Sequence, residues 1–124
     1  MFEVSVQQTF AAGHSLRDYH GKCENVHGHN YRIEVKVQGE QLAPNGLLVD
    51  FVELKRSMRA VIEYLDHQFI NDLEPFTKIN PSAENIAKFF HDRMSADLQS
   101  DVPVRIAEVK VWETDTSSAV YRPG

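Results

Sequence analysis

Two stretches of this chain place apolar residues at every second position, and in both the apolar side runs into histidine. In residues 2–14 the even positions Phe2, Val4, Val6, Phe10 and Ala12 form one side, and His14 continues it. In residues 29–38 the odd positions Tyr31, Ile33, Val35 and Val37 form one side, with Arg32, Glu34 and Lys36 opposite. His27 and His29 extend that odd side toward the N-terminus, with Gly28 between them to permit close approach. Alternation marks a strand with one buried face, and side chains two apart point the same way. The chain must therefore build a sheet whose inward side ends in three imidazoles. An inward polar ring without a partner is costly, and a shared metal ion satisfies all three at once. Zinc is commonly held by three histidines with a fourth position open for water or substrate. His14, His27 and His29 are the candidate metal ligands, and the implied chemistry is metal-dependent catalysis.

The remaining pattern supplies helices for that sheet. Residues 15–26 read as a loop held over the histidines, and 39–46, with Pro44-Asn45-Gly46, as a turn. Leu47-Leu48-Val49 reads as a short extended piece. Asp50 is placed to cap a helix over 51–65, with Glu53 three residues on completing a capping box. Phe51, Leu54, Met58, Val61, Ile62 and Leu65 fall at helical spacing. Ser82 or a neighbour caps a second helix reaching about Leu98, with Glu84 in its first turn and Ile86, Phe89, Phe90, Met94 and Leu98 as its stripe. Two closing strands, 104–112 and 119–121, are joined by a turn at 114–118. The apolar parity shifts between Ile106 and Val109, which predicts a bulge. The order ββααββ defines an α+β domain over residues 1–124, two helices laid on one face of an antiparallel sheet.

With 124 residues the chain has room for one core and not two. Its net charge of -5 argues against nucleic-acid or anionic-membrane partners. No apolar run reaches membrane-spanning length, and the N-terminus opens on a strand pattern rather than a signal peptide. A single cysteine forms no internal disulfide, consistent with a reducing cytoplasm.

That cysteine, Cys23, lies four residues before His27, among Lys22, Glu24 and Asn25. A thiol beside a dication and a lysine favours its thiolate, which suits a general base or nucleophile; a fourth zinc ligand is the alternative. Asp66-His67 closes the first helix, as a favourable helix end or as a carboxylate-oriented imidazole for acid–base work. Glu113 shares strand parity with Val109 and Val111, so its carboxylate points inward and needs a donor. A ligand with two adjacent N–H groups would supply one, as would Arg105 or Arg122. His20 and His91 read as surface residues.

Six segments together resemble the 6-pyruvoyl-tetrahydropterin synthase family over nearly the whole chain. They are Phe10-Ala11-Ala12-Gly13-His14, Cys23-Glu24-Asn25-Val26-His27-Gly28-His29-Asn30-Tyr31, Val49-Asp50-Phe51, Leu65-Asp66-His67, Asn80-Pro81-Ser82-Ala83-Glu84-Asn85 and Trp112-Glu113-Thr114. The resemblance implies the tunnelling fold (T-fold), three protomers joining their sheets into a barrel, and two trimers stacking into a homohexamer. It matches His14, His27 and His29 to Zn2+ ligands, Cys23 to the catalytic base and Asp66 with His67 to a proton-relay pair. It matches Glu113 to the carboxylate that grips the pterin. The spacing C-x3-H-G-H resembles the bacterial 6-carboxy-5,6,7,8-tetrahydropterin synthases of queuosine biosynthesis, whereas the mammalian-type enzymes resemble C-x5-H-G-H. The implied reaction converts 7,8-dihydroneopterin triphosphate to 6-carboxytetrahydropterin, acetaldehyde and triphosphate. Rival expectations are 6-pyruvoyltetrahydropterin synthesis, a closed structural zinc module with Cys23 as fourth ligand, and a pterin-binding protein without turnover.

Overall fold

A computed structural model describes residues 1–18, 21 and 25–124. Strands β1 (Phe2–His14) and β2 (His27–Gly39) come first, then helices α1 (Phe51–Leu65) and α2 (Ala83–Asp97), then strands β3 (Arg105–Thr114) and β4 (Ser117–Tyr121). The sheet order is β1-β2-β3-β4, antiparallel throughout, so the fold is the α+β T-fold arrangement. β2 begins at His27, two residues earlier than the alternation alone predicts, because His27 pairs with His14 across the ladder. The closing hairpin is also tighter than expected: β3 runs to Thr114 and β4 starts at Ser117.

The inward face carries Val6, Phe10 and Ala12 of β1, Tyr31, Ile33, Val35 and Val37 of β2, and Ile106, Val109 and Val111 of β3, all buried. Phe10 and Tyr31 face each other across the ladder with stacked rings 4.9 Å apart. The helices cover this face with Leu54, Met58, Ile62 and Leu65 from α1 and Ile86, Phe90 and Met94 from α2. Burying each such side chain contributes about 1.5–3 kcal/mol. On the opposite face the Arg32 guanidinium stacks 4.1 Å over the Trp112 ring, and the Lys110 ammonium lies 4.5 Å from it. No helix among the described residues is long and apolar enough to cross a membrane.

β3 carries the expected bulge: Lys36 pairs with Glu108 and Val37 with Ile106, leaving Ala107 extra. A second bulge leaves Glu113 extra, between the Trp112–Ser118 and Thr114–Ser117 pairs. Residues 47–49 form no strand. The Ala43 N–H donates to the Leu47 carbonyl at 2.9 Å, closing a turn that tucks Leu48 and Val49 under the core. A single 3-10 turn, Ile70–Asp72, lies between the helices.

Asp50 caps α1, accepting the Val52 N–H at 2.8 Å, and Ser82 caps α2, accepting the Asn85 N–H at 3.1 Å. The expected capping box does not form. Glu53 instead turns sideways to take two bonds from Arg56, at 2.7 and 2.8 Å, and the Gln99 N–H at 3.0 Å. Arg56 also donates to Asp97 at 3.1 Å, so one carboxylate ties the start of α1 to the end of α2.

Those donors, Arg56 first, hold the Glu53 carboxyl well below its usual 4.5, at about 2. A carboxyl depressed on folding contributes stability that is fully present above 4.5 and lost as pH falls toward 2. In Glu53→Gln the melting temperature should lie below the parent's at pH 6, and the gap should close as the pH falls toward 2. Calorimetry across that interval checks it; a gap that does not vary with pH would remove the ionic role from Glu53.

Candidate metal centre

The register of β1 on β2 sets His14 opposite His27 and Ala12 opposite His29, so three imidazoles crowd one corner of the inward face. Ring centroids lie 4.6 Å apart for His14 and His27, 4.7 Å for His27 and His29, and 5.1 Å for His14 and His29. The bulge in β3 brings the fourth group. Glu113 Oε1 lies 2.8 Å from His29 Nε2 and 3.4 Å from His14 Nε2. One ligand atom from each of His14, His27, His29 and Glu113 lies within 4.8 Å of all the others.

Hydrogen bonds on the far side of two rings decide what the near side offers. His14 Nδ1 lies 2.7 Å from the Pro81 carbonyl, and His27 Nδ1 lies 2.7 Å from the Asn25 carbonyl. A carbonyl only accepts, so both Nδ1 atoms carry the hydrogen and, in the neutral rings, both Nε2 atoms are bare. Those two Nε2 atoms face each other at 3.1 Å. Lone pairs so placed repel unless a cation lies among them. His29 Nε2 is buried and without a hydrogen-bond partner, because Glu113 is near in distance but off the N–H axis. Two bare nitrogens, a third without a partner and one carboxylate oxygen are a donor set that fits zinc, and the carbonyls behind two of the rings are the usual support for metal-bound histidine.

The electrostatics agree. Burial pushes His29 down, against the pull of Glu113, and so favours the neutral form that binds metal. The His14 ring, its Nε2 3.4 Å away, leads the effects that hold the Glu113 carboxyl below its ordinary range despite partial burial. Tyr31 is buried behind the cluster with no partner for its hydroxyl; burial first and Glu113 second push its ionisation far up, so it stays protonated. Neither arginine weighed for Glu113 is its partner: Arg105 donates to Gln38 and Arg122 to Glu108. The carboxylate belongs to the histidines.

Asp66 and His67 form a separate pair on the outer edge of β1. Asp66 Oδ1 accepts the Ala11 N–H at 3.0 Å and lies 3.0 Å from His67 Nδ1. The Ala11 N–H, with His67 beside it, holds the Asp66 carboxyl below its ordinary range. His67 sits at φ 59°, a left-handed conformation costing a non-glycine residue roughly 1–2 kcal/mol, while its N–H bonds the Ala11 carbonyl. Its ring is 80% exposed. No hydrogen bond or ion pair among the described residues joins this pair to the histidine cluster. Cys23 and His20 lie outside the described residues. His91 is not a free surface side chain: its ring packs on Tyr121 and bonds Asp92. The carbonyls of Asn25 and Pro81 had no sequence signal, because any residue supplies a carbonyl.

An α+β T-fold with a histidine-rich corner able to take a metal ion is the class that fold and site define. The family model described as 6-pyruvoyl tetrahydropterin synthase matches residues 3–124, and the chain belongs to that family. It is 32% identical over 144 aligned positions to the 6-carboxy-5,6,7,8-tetrahydropterin synthase of Haemophilus influenzae, covering 98% of this chain and 99% of that one. It is 35% identical to the Bacillus subtilis protein of the same description, covering 98% and 86%. The human 6-pyruvoyl tetrahydrobiopterin synthase is 33% identical, covering 97% and 90%. The structure of Caenorhabditis elegans 6-pyruvoyl tetrahydropterin synthase superposes with a TM-score of 0.89 at 26% identity, covering 99% and 96%.

The facing nitrogens lead to a direct test. Adding zinc to chelator-treated protein should raise its unfolding free energy by about 2.7 kcal/mol at a hundred times the dissociation constant. His14→Ala should lose that gain. Calorimetry with and without metal checks both, and an equal gain in the variant would place the metal elsewhere.

Proposed function

We propose that the protein is a zinc-dependent lyase that converts 7,8-dihydroneopterin triphosphate into 6-carboxy-5,6,7,8-tetrahydropterin, acetaldehyde and triphosphate, in queuosine biosynthesis. The observation that carries the metal-dependent part is the pair of bare Nε2 atoms 3.1 Å apart, with His29 and Glu113 beside them. The choice of product rests on the C-x3-H-G-H spacing and on the names of the bacterial relatives.

His14, His27 and His29 would hold the zinc. When bound, it supplies Lewis acidity toward oxygen atoms of the substrate side chain. Cys23 is the base that takes a proton from the side-chain carbon, and His67, turned by Asp66 so that Nε2 is presented, serves as the second acid–base group. Glu113 has two possible duties. The family resemblance gives it the N–H groups of the pterin, whereas its 2.8 Å approach to His29 favours the metal side. In Glu113→Gln, zinc content by atomic absorption and pterin binding by fluorescence separate them. We expect zinc affinity to fall about tenfold; full zinc with lost pterin binding would return Glu113 to the pterin.

The exposure of His67 bears on assembly. β1 and β4 are the two outer strands of the sheet, and His67 lies beside β1 with its N–H on the Ala11 carbonyl and its ring exposed. We propose that copies join edge to edge in a trimeric barrel, stacked as a hexamer, so that His67 of one copy serves the metal corner of the next.

Mass identification of the products from pure protein and dihydroneopterin triphosphate, with and without chelator, tests the activity. The 6-carboxy product, lost with chelator, is expected; a 6-pyruvoyl product selects the rival synthase, and no product selects a binding module. Cys23→Ala and His67→Ala should each lower the rate by about two orders of magnitude. Unfolded together in equal amounts and refolded, they should regain about a quarter of the sites, since a random neighbour supplies the missing group. No regain would confine each site to one copy.

A further inference from the structure

Beyond His14 the chain loses β2 as a partner, yet its backbone stays paired. The Ser15 N–H donates to Asn71 Oδ1 at 2.9 Å, and Asn71 Nδ2 donates back to the Ser15 carbonyl at 2.9 Å. Two residues on, the Arg17 N–H donates to Asn80 Oδ1 and Asn80 Nδ2 donates to the Arg17 carbonyl, both at 2.8 Å. Two carboxamides thus pair with the backbone that follows β1, where β2 no longer does. Asn80 is itself held, its carbonyl accepting from Asn85 Nδ2 at 2.9 Å in the first turn of α2. The next residue is Pro81, whose carbonyl takes the Nδ1–H of His14.

These bonds close a circuit: His14 ring to Pro81, along the chain to Asn80, across to Arg17, and back along the chain to His14. The ring of Pro81 restricts the local backbone, which limits how far that carbonyl can swing. With the circuit intact, the His14 backbone and its acceptor cannot move apart. Opened at Asn80, it leaves the two segments joined only by the exposed Arg17 guanidinium on the Ile79 carbonyl, at 3.2 Å, and the imidazole on a carbonyl freer to shift against β1.

We propose that Asn80 is a positioning residue of the metal centre, touching no ligand atom, and that its clamp on Arg17 keeps His14 in the tautomer that presents Nε2. The inference rests on the metal reading above for its purpose but not for its test. In metal-free, 15N-labelled protein at pH 8, long-range nitrogen–proton correlation reads the tautomer of each imidazole. His14 should be in the Nδ1–H form in the parent and a mixture in Asn80→Ala. Asn80→Asp, which keeps the acceptor for the Arg17 N–H and lacks the donor, should fall between them; it also serves if the alanine variant does not fold. Zinc affinity by chelator competition should drop about ten- to a hundredfold in Asn80→Ala. Val37→Ala, in the core at the far end of β2, should lower the melting temperature and leave both tautomer and affinity unchanged. Persistence of the Nδ1–H form in the Asn80 variants, or its loss in Val37→Ala as well, overturns the proposal. A parent protein without zinc affinity would instead remove the metal reading, while the tautomer comparison still decides the role of Asn80.

Discussion

Three imidazoles and a carboxylate gathered at one corner of a buried sheet face form an arrangement whose facing lone pairs repel, and a positive charge among them would relieve that repulsion. His14 is fully buried, and its bare nitrogen looks straight at that of His27. A proton shared in that gap would relieve one contact; a dication relieves every contact in the cluster, including the unpartnered nitrogen of His29. The rest of the fold is consistent with that reading. β1 and β2 run in uninterrupted register for their whole length, so the histidines meet at the end of the best-formed ladder in the molecule.

Around the cluster stand the Tyr31 ring and polar backbone. Two carbonyls fix two rings from behind, one from the segment just before β2 and one from the entry to α2. Both carbonyls sit in connecting segments, each a residue or two before the element that follows. The contrast with Asp66 and His67 is instructive. That pair sits on an exposed edge, held by backbone bonds to Ala11 and with one strained residue. Strain kept on an exposed edge is a frequent companion of function.

Much of this was legible in the sequence, because strand parity is a physical property of the chain. The limits of β1 and α1 coincide with the pattern, and the histidines lie where parity places them. Less legible was anything decided by a partner distant in sequence. Glu53 had the spacing for a capping box, yet Arg56 and the Gln99 N–H outcompete the Asp50 amide for it. Glu113 was correctly turned inward, but its neighbours come from β1 and β2, and parity says only which side a residue faces. The segment 47–49 is apolar enough for a strand, though the core has no open ladder there to receive it.

The extra residue at Ala107 has a consequence for how β3 can change. Before it, Ile106 faces inward; after it, Val109, Val111 and Glu113 do. Paired without the bulge and at full length, the strand would present Glu108, Lys110 and Trp112 to the core and turn the carboxylate away from the histidines. The bulged pairing of β3 is therefore as much a part of the site as its composition. Removing Ala107 would leave a regular ladder with the same inward stripe, whereas losing a residue between Glu108 and Trp112 would exchange the side of every residue beyond it.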